Sequence, residues 1–240
     1  CQHIPAVGAS VGIATDGDAD RLGIVDEQGQ FLNQHQVFAL LCLYLLETRG
    51  ERGYIIRSVT TTEMISTLGR LFDVPVIVTP VGFKYVAPLM LEHDAMIGGE
   101  ESGGYGFRGH IPERDGIVAG LYFLDMMRQT GKTPSALLAH LYEMVGPHFY
   151  DRVDIELDKD DRARVADAMA HLKTKKVGTA TVADIDLTDG VRLVLDDGAW
   201  VLYRLSGTEP LLRIYAEAET TERVQQLIAY GAALLGVSRD

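Results

Sequence analysis

The sequence is poor in cysteine, in positive charge and in long apolar runs, and each shortage removes a class of protein. Its cysteines are only Cys1 and Cys42, too few for a disulfide framework. Cys42 lies inside an apolar run where a buried, reduced thiol is the ordinary outcome, which favours the cytoplasm. Basic residues number 22 against 34 acidic ones, a formal charge of -12, which repels nucleic acid and anionic membrane. An anionic ligand therefore needs cations gathered locally. The longest apolar stretch, Val37 to Leu46, is about half of the roughly 20 residues a membrane-crossing helix requires. No basic, then apolar, then small-residue leader opens the chain, so neither anchor nor signal is expected. The first residues, Cys-Gln-His-Ile-Pro, carry no initiator methionine and run quickly into a strand, as in a fragment of a longer protein.

What is present is a regular alternation of apolar runs and Gly-rich turns across 240 residues that are 47% hydrophobic, enough for one large core or two modest ones. Strands are predicted over 11–14, 22–25 and 30–32, with a polar loop at Thr15–Arg21 and a tight turn at Asp26–Gly29. A helix over 34–48 stops at Arg49-Gly50 and Gly53. Strand 54–59, helix 62–72, strand 76–78, helix 84–92 and strand 95–97 follow in alternation. Beyond a Gly-rich loop come helices over 115–128, opened by Asp115, and 134–144, opened by Thr133 before Pro134. Such alternation predicts an α/β unit, its sheet mostly parallel or mixed and flanked by helices.

From about Gly146 the pattern changes. A strand over 153–157, a helix over 161–172, closely spaced strands up to Ala218 and a helix over 221–235 are separated by turns such as Thr188-Asp189-Gly190 and Asp196-Asp197-Gly198. This reads as a smaller α+β domain with an antiparallel sheet. No internal repeat or low-complexity tract occurs.

Four segments can carry chemistry. Asp16, Asp18 and Asp20 alternate in a short loop between two strands, so three carboxylates converge and demand a cation. A hard dication, magnesium before calcium, suits them; a solvated acidic turn is the plain alternative. A calcium EF-hand also opens with alternating acids, and Glu27 falls at its twelfth position. Its sixth position needs Gly where Arg21 stands, and the flanks are strand-like, so that reading is rejected. A haloacid-dehalogenase-type phosphatase, with Asp16 as nucleophile and Asp18 as general acid, remains the competing enzyme.

Gly98-Gly99-Glu100-Glu101-Ser102-Gly103-Gly104 offers acids and a hydroxyl between glycines, a combination that suits sugar hydroxyls, or else a merely connective loop. Arg204-Leu205-Ser206-Gly207-Thr208-Glu209-Pro210, with Arg213 beyond it, gathers two guanidinium groups, two hydroxyls and turn amides into an anion site in an acidic protein. A phosphate is its natural guest, while arginines paired with surface acids are the simpler account. Lys84 sits where a strand gives way to a helix, the edge of a parallel sheet where ligands bind, although a lone lysine there is more often a solvated helix start.

In this order the four segments resemble the α-D-phosphohexomutase family, phosphoglucomutases and phosphomannomutases, over nearly the whole chain. The resemblance implies that Asp16, Asp18 and Asp20 hold Mg2+, with Arg21 assisting at the transferring phosphoryl group. It implies that Glu100 and Ser102 bind the sugar ring, that Arg204, Ser206, Gly207, Thr208 and Arg213 grip the non-reacting phosphate, and that Lys84 serves near the sugar in proton transfer. Residues 1–32 would end the family's second domain, 33–145 form its third and 146–240 its fourth. The family's first domain supplies a phosphoserine in a Thr/Ser-Ala-Ser-His-Asn-Pro segment, and no such segment occurs here. The expectation is thus a mutase that interconverts hexose 1- and 6-phosphates through glucose 1,6-bisphosphate or its mannose equivalent, with this chain inactive alone. A non-catalytic sugar-phosphate binding module is the further alternative. Gly104 stands where many mannose- and glucosamine-type relatives carry His, which tilts the expectation toward glucose.

Overall fold

A computed structural model describes residues 1–237. The chain divides into two compact units, one spanning Cys1–Gly146 and the other beginning at Pro147. Among the described residues no helix is long and apolar enough to cross a membrane.

The first unit opens with a short helix α1 (His3–Ala6) and a three-stranded antiparallel sheet, β1 (Gly12–Thr15), β2 (Leu22–Val25) and β3 (Phe31–Leu32), in that order. Asn33 then caps α2 (Gln34–Leu43): its side chain accepts the Gln36 amide while Gln36 reaches back to the Asn33 amide. The predicted single helix over 34–48 instead ends in a π-helical turn, Tyr44–Thr48, where the Arg49 amide bonds to Tyr44 O. Residues from Val37 to Leu46 are buried, so the apolar run covers every side of the helix, not a stripe.

A four-stranded sheet follows, made of β4 (Ile55–Ser58), β5 (Val76–Thr79), β6 (Ile97–Gly99) and β7 (Tyr105–Phe107). Its order is β5-β4-β6-β7. The first three are parallel and β7 is antiparallel to β6, so the sheet is mixed. Helix α4 (Phe83–Glu92) packs on one face through Phe83, Val86 and Met90. Helix α2, with α3 (Met64–Leu71), α5 (Gly116–Thr130) and α6 (Pro134–Val145), builds the larger core.

Two expectations change here. The strand predicted at 95–97 lies two residues later, and β7 forms where the sequence predicts loop. Gly98 and Gly99 are sheet residues: a Cβ on Gly98 would come 2.5 Å from Met90 Sδ, and one on Gly99 would come 2.7 Å from Phe38 Cζ. They admit helices onto the sheet, not a ligand.

The second unit holds β8 (Phe149–Glu156), α7 (Lys159–Ala170), β9 (Lys176–Val177), β10 (Ala180–Asp186), β11 (Val191–Leu195), β12 (Trp200–Leu205), β13 (Leu211–Ala218) and α8 (Thr221–Leu234). Its sheet runs β8-β13-β12-β11-β10-β9, antiparallel throughout. Val165 of α7 and Val224, Leu227 and Ile228 of α8 close over Leu193, Val201, Leu212 and Ile214. Both turns read in the sequence are present, and Gly190, at φ 102°, is obligatory: a Cβ there would meet Tyr203 O at 2.2 Å. Strand β8 starts four residues before the predicted one. Asp158, whose side chain accepts the Asp161 amide, caps α7 two residues early. The expected fold class, α/β followed by a smaller antiparallel α+β domain, holds.

Candidate metal, sugar and phosphate sites

The loop between β1 and β2 folds back on itself. The Ala19 amide bonds to Asp16 O, and Ala19 takes a positive φ of 58°. The Arg21 amide donates to Asp16 Oδ1 at 3.2 Å. As a result one ligand oxygen from each of Asp16, Asp18 and Asp20 falls within 4.8 Å of the others. Burial pushes the Asp20 carboxyl above its usual range; Arg114 opposes this, and the neighbouring Asp18 and Asp16 reinforce it. An all-oxygen set under mutual repulsion fits a hard dication such as Mg2+. Arg21, half exposed, lies 3.5 Å from Asp16 Oδ2 and 3.6 Å from Asp20 Oδ1.

The fold fastens this loop to two neighbours. The Leu22 amide donates to Gly103 O at 3.0 Å, joining it to the β6–β7 turn. The Gly116 amide donates to Ala19 O at 2.9 Å, joining it to the start of α5. Helix α5 is capped by Asp115, whose carboxylate accepts the Val118 amide at 2.8 Å and lies 2.9 Å from His110 Nε2. Glu27 is far from any ligand role: it bonds to the Ser135 hydroxyl and amide at the start of α6, which disposes of the twelfth EF-hand position.

The predicted sugar loop is the tight turn of the β6–β7 hairpin. The Gly103 amide returns to Glu100 O, and Gly103 has φ 89°. Glu100 is buried, and its Oε1 accepts the Gly82 amide at 2.8 Å. Burial raises its pKa, with the Gly82 amide and then Arg114 opposing. Ser102 is half-buried and makes no protein hydrogen bond among the described residues, so its hydroxyl can serve a ligand. Lys84 is exposed at the first turn of α4, two residues beyond Gly82, with its ammonium 5.0 Å from the Tyr85 ring centre.

In the second unit, Arg204 lies one residue before the end of β12 and Arg213 lies opposite it on β13, a directly paired position. Side chains at paired positions share one face of the sheet. Between them the chain turns through Ser206, Gly207 and Thr208; Ser206 is buried, and Gly207 and Thr208 are exposed. Ser206 Oγ accepts the Glu209 amide at 3.3 Å, so its own proton is free to donate. Both arginines have acid partners: Arg204 with Asp189 at 2.8 Å, and Arg213 with Glu209 at 2.6 Å and Asp154 at 3.5 Å.

Comparison with known proteins identifies the family. Residues 33–145 match the family described as phosphoglucomutase/phosphomannomutase, alpha/beta/alpha domain III, and residues 156–233 match its C-terminal domain. The chain belongs to the phosphoglucomutase/phosphomannomutase family. It is 34% identical over 232 residues to a phosphoglucomutase/phosphomannomutase of Thermococcus kodakarensis, covering 97% of this chain and 48% of that protein. It is 35% identical over 226 residues to a probable phosphoglucosamine mutase of Methanopyrus kandleri, covering 93% and 47%. A crystal structure from Thermus thermophilus, whose assignment as a phosphomannomutase is itself provisional, superposes with a TM-score of 0.80 at 34% identity, covering 98% of this chain and 49% of that one. The chain thus spans about half the length of the curated relatives it matches.

Within this family frame, one residue missed by the sequence reading stands out. Arg114, just before α5, reaches Asp20 Oδ2 at 2.7 Å and Glu100 Oε2 at 3.9 Å, so a single guanidinium ties the Asp16–Asp20 loop to the Glu100–Gly103 turn. It lies 5.8 Å from the Phe83 ring centre. Gly104 makes the room: a Cβ there would fall 2.3 Å from Arg114 Cδ. The available signal was an arginine shortly after a Gly-rich acidic turn; its partners are far off in sequence and only the fold supplies them.

Proposed function

We propose that this chain is the carboxy-terminal half of a phosphohexomutase that interconverts hexose 1-phosphate and hexose 6-phosphate, glucose phosphates foremost, and that it works in the cytoplasm. The observation that carries this reading is the coupling of three convergent aspartates to the Glu100–Gly103 turn through Leu22–Gly103 and Arg114. It puts a dication site beside groups suited to sugar hydroxyls, the arrangement that phosphoryl transfer on a sugar needs. In this assignment residues 1–32 complete a second domain, 33–145 are the third and 146–240 the fourth.

Asp16, Asp18 and Asp20 would hold Mg2+, which when bound neutralises charge on the transferring phosphoryl group. Arg21 adds a cation at the same phosphoryl oxygens. Glu100, fixed by the Gly82 amide, accepts from the sugar's hydroxyls, and Ser102 donates or accepts as either substrate orientation requires. Lys84 moves a proton at the sugar oxygen. Arg204, Ser206, Gly207, Thr208 and Arg213 grip the phosphate that is not reacting. The phosphoserine that gives and retrieves the phosphoryl group belongs to a preceding domain, with glucose 1,6-bisphosphate as the intermediate, so this chain alone does not turn over.

Calorimetric titration of the chain with glucose 1,6-bisphosphate in Mg2+ tests the reading. Binding that weakens with Mg2+ removal and with Asp18→Asn supports it. Release of inorganic phosphate from a hexose phosphate, abolished by Asp16→Asn, would replace it with the phosphatase.

A further inference from the structure

Arg162 lies on α7, outside the 204–213 segment, yet it grips that segment's backbone. Its Nη2 donates to Ser206 O at 2.8 Å and its Nη1 to Glu209 O at 3.4 Å. No carboxylate pairs with it among the described residues, whereas Arg204 and Arg213 are both neutralised by acids. We propose that Arg162 is the positioning residue of the phosphate loop, holding the Ser206 carbonyl toward α7 so that the Gly207 amide is presented to an incoming phosphate. The inference rests on the reading of that loop as a phosphate site.

Peptide geometry links the two groups. The bond between Ser206 and Gly207 is trans, so its C=O and N–H point to opposite sides of the chain. A carbonyl fixed by Arg162 on the helix side therefore sends the Gly207 N–H outward. That amide and the Thr208 amide have no protein partner among the described residues, while the Glu209 amide is occupied by Ser206 Oγ. The tip is also open, since a Cβ on Gly207 would meet nothing within 4 Å. Two free, outward amides in an unobstructed turn form a concavity for anions, and the unneutralised guanidinium behind them adds positive potential. Without Arg162 the Ser206 carbonyl is free to rotate, and a rotated peptide presents an oxygen to the phosphate where a donor is required.

The test titrates glucose 1,6-bisphosphate into the 240-residue chain and its Arg162→Gln, Arg162→Lys and Arg213→Ala variants, with thermal unfolding of each and 15N-labelled spectra of the Gly207 amide. Arg162→Gln should weaken binding about tenfold while the unfolding midpoint stays near that of the parent chain. Its Gly207 amide should lose the ligand-induced shift seen in the parent. Arg162→Lys keeps the charge but replaces the planar two-nitrogen fork with a single ammonium, and should bind as weakly as Arg162→Gln. Parent-like affinity in Arg162→Gln, or full rescue by Lys, would overturn the proposal while leaving the phosphate loop standing. Binding unaffected by Arg213→Ala, or no binding by the parent chain, would overturn the phosphate-loop reading and this inference with it.

Discussion

In the first unit the carboxylates of Asp16, Asp18 and Asp20 are placed by backbone bonds from other elements, the β6–β7 turn and the start of α5. In the second, the arginines flanking 206–208 sit on adjacent strands and are balanced by acids close to them, with the tip left exposed. The first arrangement is pre-organised by tertiary structure and gains by acquiring a cation. The second is balanced by acids, and in the proposed function a phosphate would take their place. Repulsion among like charges needs a rigid frame, whereas an exposed turn suffices where opposite charges already attract.

The largest expected effect would break the frame. Gly116→Ala places a Cβ 2.4 Å from Arg21 O, which is backbone and cannot swing away. It should destabilise the first unit by about 1–3 kcal/mol and weaken Mg2+ binding, measured by thermal unfolding and calorimetry. An unchanged Mg2+ affinity would mean the loop does not depend on α5. Next, Arg213→Ala should weaken glucose 1,6-bisphosphate binding about tenfold, or about 1.4 kcal/mol, with Mg2+ binding untouched. Loss of both would deny that the sites are built separately.

A smaller effect sharpens the account of the frame. The Val118 amide foremost, with His110, holds the Asp115 carboxyl below the usual range against the opposing effect of burial. A carboxylate with a depressed folded pKa stabilises above its unfolded pKa and loses that contribution as pH falls through the folded value. Asp115→Ala should therefore cost about 1 kcal/mol at neutral pH, and the two stability curves should converge below the ordinary aspartate range. Parallel curves down to strong acid would contradict the cap. The smallest effect concerns the counter-ions: Glu209→Gln releases Arg213 from a half-exposed pair and should tighten bisphosphate binding about two- to fivefold. Weaker binding would show that Glu209 assists the ligand.

The same contrast governs what the sequence discloses. The Asp16–Asp20 spacing and the Arg204–Thr208 segment are contiguous, so their chemistry is legible before any fold is known. Arg114 is not, because Asp20 and Glu100 reach it only through the folded chain. Strand β7 is three residues, Tyr-Gly-Phe, too short to display alternation, and Gly98 and Gly99 resemble loop glycines until Met90 and Phe38 are seen packed over them. Both fold classes were legible because helix periodicity and tight turns are local properties. The π-helical end of α2 was not, since an all-apolar run gives no phase from which to read a change of pitch.

We propose that this chain carries the groups for the metal, sugar and phosphate of a phosphohexomutase and takes its nucleophile from another domain of the complete protein. The most direct measurement follows conversion of glucose 1-phosphate to glucose 6-phosphate by the purified chain, alone and mixed with the amino-terminal half of a family member carrying the phosphoserine domain. The chain alone should give no conversion, and mixing should give conversion that Asp18→Asn abolishes. Robust conversion by the chain alone, or none on mixing with a half shown to bind it, would rule out this division of the site.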